Sequence, residues 1–470
     1  MLKRILNYLV KLFHGCKLLH LNQLGRNDYR VYAMKRILII IGNYSPNPSS
    51  VANCAEPLIN KLISKGFKID IVTDRKQVDI PEYECINNVN IYRIDDYRVM
   101  NTGVLNELTK IESTKALKFL TRVFSFFLKS FYYIRYCTLA KEKGTGGWDL
   151  KTAVNKCIEL YKKHKFDAVI SISLPFKAHY ITKQFIHEIH EPILWVMYEY
   201  DPFSYNKELK ISTRRRKILL HDENNMFKDC DKVLLSPELF KFYSKTPFST
   251  FLDKFISIPY ANMSPLKCIN DGISDIQFSP DKINCLFTGR LYADIRNPNY
   301  TIRTFSILNN DIHLSLFTNF SNEQLLESVS NSDGKFSVFP YQTRNTVINA
   351  FMKADILVNV GNTVEFQVPG KIFEYMSTGK PIIHFSKFPD DPTLLYIERY
   401  PRALIIKEWE NNIKEQALQI EKFCRTNKGY CLKYDEVCTA LDGLDGESVS
   451  EKFVDIISAL IKEKYNCEEA

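Results

Sequence analysis

The chain has 470 residues, 45% hydrophobic and 25% charged, an ordinary globular composition with length for two or three domains and sizeable cores. Its net charge of +9 is concentrated in two segments: residues 1–36 hold eight Lys/Arg against one Asp, and residues 115–143 hold seven Lys/Arg against one Glu. The remainder is slightly acidic, which excludes a general nucleic-acid-binding surface, because that needs a basic patch on the folded domains.

Residues 1–33 form a basic amphipathic extension. In "MLKRILNYLVKLFHGCKLL", Lys3, Asn7, Lys11 and His14 share one helical face opposite Leu, Ile, Val and Phe. The segment lacks the small-residue cleavage site of a signal peptide. "MKRILIIIGNYSP" from Met34 has the look of a protein start, so residues 1–33 read either as a tail or as sequence upstream of the natural start.

From Lys35 apolar runs alternate with helical patterns. "RILIII" (36–41), "KIDIVTD" (68–74), "DAVISIS" (167–173), "PILWVMYE" (192–199), "KVLLS" (232–236) and "KFISIPY" (254–260) predict strands. A helical "VANCAEPLINKLISKG" and a helix over 175–189 lie among them. β-branched runs alternating with helices predict a parallel sheet covered on both faces.

Within this half, "KALKFLTRVFSFFLKSFYYIRY" repeats the amphipathic design, with Lys115, Lys118, Arg122, Ser125 and Lys129 at intervals of three and four. Its charges break the apolar run well short of the roughly 20 residues of a membrane span. A basic stripe opposite Phe, Leu and Tyr suits an anionic membrane surface, expected over 115–136; the other reading is a helix packed on its own domain with a solvated basic face.

The alternation stops near Pro259. Residues 266–282 are polar, aperiodic and read as a linker. It restarts with "INCLFTG" (283–289), "IHLSLFT" (312–318), "FSVFPY" (336–341), "ILVNVG" (356–361), "PIIHFS" (381–386) and "RALIIKE" (402–408). The expected organisation is a domain over 34–265 with an insert at 115–143, a second domain over 283–445, and a helix in 446–470 that could cross back to the first. The fold class is α/β: two doubly wound, Rossmann-like domains facing a cleft, each binding ligands beyond the carboxyl ends of its strands. Twelve cysteines show no pairing pattern, and Cys424, Cys431 and Cys438 recur at seven-residue intervals. Close metal ligands are usually about two to four residues apart, so the cysteines read as reduced thiols of a cytoplasmic protein.

"VPGKIFEYMSTGKPII" (368–383) follows the strand "ILVNV". Pro369 and Gly370 let a ligand approach the backbone where a helix presents free N–H groups, and Lys371 adds a full charge. Glu374, one turn in, has a carboxylate able to accept two hydroxyl hydrogen bonds, as a ribose diol would offer. Gly379 and Pro381 end the helix. The pattern reads as a nucleotide site, or as a helix whose Lys and Glu are simply solvated.

These residues resemble the donor-site signature of retaining GT-B glycosyltransferases, the large group typified by bacterial cell-surface sugar transferases. "FTGRLYADIRNPNYTIRTFSIL" (287–308) and the first strand–loop–helix–strand from Lys35 resemble the same group, and the similarity runs in order over nearly all of residues 35–465. The resemblance implies that Arg290 and Arg296 contact the donor diphosphate, that Gly370, Lys371 and Glu374 hold phosphate and ribose, and that the first domain binds the acceptor and the second the nucleotide-sugar. It identifies "SISLPFKAHYIT" and "YEYDPF" as borders of the acceptor cleft, with His179 and Asp201 as catalytic candidates there. Each has a plainer reading: a satisfied histidine on helix 175–189, and an Asp-Pro helix cap.

The resemblance further implies transfer of a sugar, with retention, from a UDP- or GDP-type donor to a lipid-linked or oligosaccharide acceptor in surface polysaccharide synthesis, by an enzyme attached peripherally to the inner face of the cell membrane. No cofactor and no metal are expected: three cations can neutralise the diphosphate, and no Asp-x-Asp pair stands in a strand–loop context. The chain departs from the group at Phe366, where many members carry a sugar-contacting Glu, with Glu365 and Gln367 on either side. The competing readings are a sugar-nucleotide epimerase of the same architecture and a non-catalytic GT-B-like member of a membrane assembly.

Overall fold

Six consecutive residues, Arg36–Ile41, place five branched aliphatic side chains in the interior and make the central strand of the first sheet, β1. The computed structural model describes residues 35–77, 79–96, 123, 126–127, 148–206, 211–266, 278–318, 334–340 and 342–466. The basic extension 1–33, most of segment 115–136 and most of the 266–282 linker lie outside the described residues.

After β1 come α1 (Ser50–Ser64), β2 (Lys68–Arg75), β3 (Tyr83–Ile86), β4 (Val89–Asp95), α2 (Leu150–Lys163), β5 (Ala168–Ile172), α3 (Lys177–Ile189), β6 (Leu194–Glu199), α4 (Thr213–Asp229), β7 (Lys232–Leu235), α5 (Pro237–Tyr243) and β8 (Phe255–Ser257). The strands order β3-β4-β2-β1-β5-β6-β7-β8. All pairs are parallel except β3 with β4; Ile39 of β1 faces Ile71 on one side and Ile170 on the other.

The second sheet follows from β9 (Ile283–Thr288), α6 (Asn299–Ser306), β10 (Ile312–Phe317), β11 (Phe336–Phe339), α7 (Arg344–Lys353), β12 (Ile356–Val360), α8 (Lys371–Ser377), β13 (Ile382–Ser386), α9 (Leu394–Ile397) and β14 (Ala403–Lys407), with α10 (Ile413–Asn427), α11 (Tyr434–Ala440) and α12 (Gly446–Asn466) after it. Its order is β11-β10-β9-β12-β13-β14, parallel throughout. The chain fills one side of β9 with β10 and β11, then starts the other side at β12. The crevice beyond β9 and β12 is therefore the switch point, where doubly wound sheets bind ligands.

Two Rossmann-like domains of the GT-B architecture result. A run of rings ties them: Tyr198–Tyr200 at 4.5 Å, Tyr200–Tyr260 at 5.6 Å, Tyr260–Phe373 at 5.6 Å and Phe373–Tyr396 at 4.9 Å between centroids. Phe366 leaves the second domain to pack 4.8 Å from Phe242 within the first domain's aromatic core. After α11 the chain returns, the Gly446 N–H donating to the Met263 carbonyl at 2.7 Å, and α12 packs on the first domain. There Lys61 pairs with Glu447 and Glu451, and Lys464 with Asp231 at 2.8 Å.

Among the described residues no helix is long and apolar enough to cross a membrane. Of the basic segment only Val123, Phe126 and Phe127 are described; both phenylalanines are exposed, at 69% and 65%.

Candidate functional site

Strand β9 ends at Thr288, and the loop after it carries Arg290 and Arg296. Gly289 makes the exit with φ +144°. Tyr292 and Arg296 close the loop on itself, the Tyr292 N–H donating to the Arg296 carbonyl at 3.1 Å. The Arg296 Nε donates to Asn362 Oδ1 at 2.9 Å and its Nη1 to the Arg290 carbonyl at 3.2 Å. Burial pulls this guanidinium below the ordinary arginine range, yet an arginine starting so high keeps its charge. Arg290 points to solvent.

Helix α8 supplies the facing residues. Tyr375 pins it to β9: the Thr288 N–H donates to the Tyr375 hydroxyl at 2.8 Å, inside the core. Lys371 and Glu374 on the outer face are thereby held relative to the arginine loop. The Lys371 ammonium donates to both Glu374 oxygens, at 3.1 and 2.9 Å, and Arg344, at the start of α7, bonds the same carboxylate. A carboxylate has about four lone-pair sites, so with three bonds made Glu374 retains room for about one more donor. The helix has only seven residues; the side-chain charges, rather than a macrodipole, dominate its electrostatics.

The two glycines of the motif do different things. Gly379 has φ +72°, and a Cβ there would lie 2.0 Å from the Leu432 carbonyl oxygen. Gly370 has helical φ −56° and nothing within 4 Å of a Cβ. Only Gly379 is required by the fold.

From Arg296 a relay runs to the first domain. Asn362 Nδ2 donates to the Gln367 carbonyl at 3.0 Å, and Gln367 Nε2 donates to Asp201 Oδ1 at 3.1 Å. The chain after Asp201 turns rather than forming a helix, so Asp201 holds an interdomain bond and no helix cap.

His179 does not border the cleft, correcting the expectation for that residue. It is fully buried, its Nδ1 2.7 Å from the Ser171 hydroxyl, which also accepts from Trp195 Nε1 at 2.8 Å. Its Nε2 lies 3.9 Å from Glu199 Oε1. Burial holds its pKa down at about 3, so the ring stays neutral.

Sequence reasoning singled out Arg290 and Arg296, which lie on the loop after β9, and Gly370, Lys371 and Glu374, which lie at the start of α8 and along it; Arg290 is exposed. That reasoning named Gln367 only as a neighbour of Phe366 and missed Arg344, Asn362 and Tyr375. Tyr375 stood inside the quoted motif at a core-facing position; Arg344 and Asn362 carry no local signal. Among the described residues no group of three or more His, Cys, Asp or Glu is placed to hold a metal ion.

No protein-family model and no curated protein sequence matches the chain. Solved structures do. A sucrose-phosphate synthase from Thermosynechococcus elongatus aligns with TM-score 0.63 at 12% identity, over 91% of this chain and 100% of that one. The lipopolysaccharide outer core galactosyltransferase WaaB, in its apo form, gives 0.55 at 10% identity over 90% and 99%. Anabaena HepE in complex with UDP-glucose gives 0.52 at 11% identity over 90% and 99%. At such identities the likeness establishes the fold, and with it the GT-B architecture.

Proposed function

We propose that this chain is a glycosyltransferase that takes a sugar from a nucleoside-diphosphate donor held at the β9–β12 crevice and transfers it, with retention of configuration, to a hydroxyl of a lipid-linked or oligosaccharide acceptor. The observation that supports the reading is that the loop carrying Arg290 and Arg296 and the helix carrying Lys371 and Glu374 follow the adjacent strands β9 and β12 at the switch point of one sheet, with the helix tied to β9 by the Thr288–Tyr375 bond. Three cations suit a diphosphate, and a carboxylate with one lone-pair site left over suits a ribose hydroxyl. The open approach at Gly370, which nothing in the fold demands, adds room for phosphate.

In the reaction, the acceptor oxygen bonds to the anomeric carbon while the bond from that carbon to the phosphate oxygen breaks. The acceptor proton passes to the departing diphosphate on the same face. Arg296 and Lys371 stabilise the charge that develops there, which is the largest service such a site provides; no metal is needed for that neutralisation. Asp201 and Gln367 hold the two domains at the working distance. The exposed Phe126 and Phe127, in a segment whose sequence alternates cations with aromatics, support attachment to an anionic membrane carrying the acceptor. Binding to phosphatidylglycerol vesicles at low salt, lost at high salt, is the expected behaviour; no binding at low salt would refute the attachment.

The test of the donor site is thermal unfolding with UDP, GDP, ADP, dTDP and CMP, on wild type and Glu374→Ala. One nucleotide at 100 times its dissociation constant adds about 2.7 kcal/mol, or several degrees at roughly 2–4 °C per kcal/mol. The wild type is expected to respond to one base and the variant much less. No response to any nucleotide would overturn the reading.

A further inference from the structure

Residues 361–370, between β12 and α8, hold the arginine loop on one side and the first domain on the other. At the root, Gly361 donates its N–H to the Phe385 carbonyl at 2.9 Å, and a Cβ there would lie 2.7 Å from Asp391 Oδ2. The chain therefore leaves β12 pressed against the loop after β13. Asn362, 1% exposed, accepts from Arg296 Nε at 2.9 Å. The Thr363 N–H donates to the Ile295 carbonyl at 2.8 Å, and its hydroxyl donates to the Asp294 carbonyl at 2.9 Å. Asn362 and Thr363 thus grip Asp294, Ile295 and Arg296, the end of the arginine loop.

The next apolar side chains, Val364 and Phe366, leave the second domain. They are 3% and 8% exposed, buried in the cluster that Phe176, Phe203, Phe227 and Phe248 build in the first domain, with the Phe366 ring 4.8 Å from Phe242 of α5. Ile295, beside Arg296 in the chain, packs partly buried on the same cluster. Gln367 then bonds Asp201. Domains of one chain move relative to one another unless a large apolar interface prevents it. Here the second domain supplies two members of the first domain's core. Separating the domains would expose both and pull on the loop that fixes Arg296.

We infer that Phe366 is a positioning residue: seated in the first domain's core, it fixes the 361–367 loop and, through Asn362 and Thr363, the Arg296 guanidinium, so that binding of the donor diphosphate and contact between the domains form one coupled equilibrium. The inference rests on the glycosyltransferase reading for the ligand it names. Coupling is reciprocal: docking that places Arg296 raises nucleotide affinity, and a nucleotide bound at Arg296 favours docking. It also gives Phe366 to the domain contact rather than to the donor sugar.

The five nucleotides of the melting panel, with UDP-glucose and GDP-mannose, would be titrated by calorimetry into wild type, Phe366→Ala, Phe366→Leu and Phe242→Ala. Each variant is first checked for cooperative melting by circular dichroism; Phe242 is only partly buried, so its truncation is the mildest to the fold. Couplings between sites typically change affinity about 5–150-fold. Phe366→Ala is expected to weaken the nucleotide that wild type selects at least about fivefold, and Phe366→Leu, which keeps an apolar side chain in the cluster, by less. Phe242→Ala, in the first domain and outside the crevice, should weaken it too. The double alanine variant should lose no more than the larger single effect, because both substitutions remove one contact. A role confined to local packing would not carry a first-domain truncation to nucleotide binding. Small-angle scattering gives the reciprocal readout. Phe366→Glu, which puts a charge among the aromatic rings, should have a larger radius of gyration than wild type, and the selected nucleotide should reduce it.

Wild-type nucleotide affinity in both alanine variants, or a Phe366→Glu chain as compact as wild type, would overturn the positioning role. So would a Phe366→Glu chain that gains affinity for a nucleotide-sugar relative to its nucleotide, since the position would then read the sugar. If wild type binds none of the nucleotides, the donor reading fails instead. Scattering without ligand separates that failure from this one, because it decides whether Phe366 holds the domains together.

Discussion

Tyr243 has one hydroxyl proton and two carboxylates at 2.8 Å, Glu199 and Glu223, all fully buried. One proton cannot satisfy both, so one carboxyl must carry its own. Glu223 accepts the N–H groups of Phe203 and Ser204 at 3.2 and 3.0 Å and is the ionised member. Glu199 is the protonated one, its pKa raised by burial and then by the charge of Glu223. The sign follows. Below the ordinary value of 4.5 both folded and unfolded states hold the proton; above it the unfolded state releases the proton first, and stability falls as pH rises until the folded group ionises too. Glu199→Gln removes this term while keeping a donor for the Tyr243 oxygen. Chemical denaturation should show wild type and variant equal near pH 4, with the variant gaining about 1.4 kcal/mol per pH unit above that until the folded Glu199 titrates. Equal pH dependence of the two proteins would refute the assignment. The titration of His179 is common to both and cancels. None of this was legible in the sequence, where His179, Glu199 and Glu223 are separate letters on different elements; only the fold makes a neutral histidine and a protonated acid neighbours.

At the scale of elements the sequence was more informative, for a physical reason. Strands such as Ile283–Thr288 and Ile356–Val360 are buried along their whole length, so each had to be a continuous apolar run, visible without any partner. β3 was missed because it is an edge strand with exposed and half-buried residues in turn. The signal lay in the turn instead: Asn87-Asn88, both at positive φ (51° and 65°), is the two-residue hairpin that asparagine favours. The motif around α8 was legible because its glycines and charges are adjacent in the chain, and its two glycines now separate fold from function. Gly379→Ala must adopt a left-handed conformation costing about 1–2 kcal/mol and drive a Cβ into the Leu432 carbonyl, so urea denaturation should show a loss above about 2 kcal/mol. Gly370→Ala meets open space at helical φ and should leave stability unchanged or raised by about 0.5–1 kcal/mol, while cutting the nucleotide-induced melting shift. A Gly370→Ala protein with an undiminished shift would show that no phosphate approaches there.

Across the whole molecule the chain brings together what it keeps far apart, and this is where sequence reasoning ran out. Gln367 and Asp201 are 166 residues apart and share one of the hydrogen bonds between the domains; neither side chain carries a sign of the other. The last helix has the same character. Periodicity predicts α12, but which surface it covers is set by the return at Gly446, where a Cβ would lie 2.7 Å from the Met263 carbonyl oxygen and only glycine passes. From there Val449, Phe453, Val454, Ile457, Leu460 and Ile461 are buried in the core shared with β1, α1 and β6. At about 1.5–3 kcal/mol for each buried large side chain, the six together supply about 9–18 kcal/mol, an upper figure because the unfolded chain is itself partly collapsed. That is as large as the whole stability of a typical protein, about 5–15 kcal/mol. The ion pairs of Lys61 with Glu447 and Glu451 lie at the surface and add little. Deleting residues 446–470 should therefore abolish the cooperative urea transition followed by tryptophan fluorescence, since Trp195 lies in the first domain's core. Phe453→Ala, which removes one ring stacked 6.2 Å from Tyr198, should keep the transition but lower stability by about 3–5 kcal/mol. A truncated chain that unfolds with the wild-type midpoint would mean that the first domain closes its core without α12, and the crossing helix would then be a cover rather than a structural member.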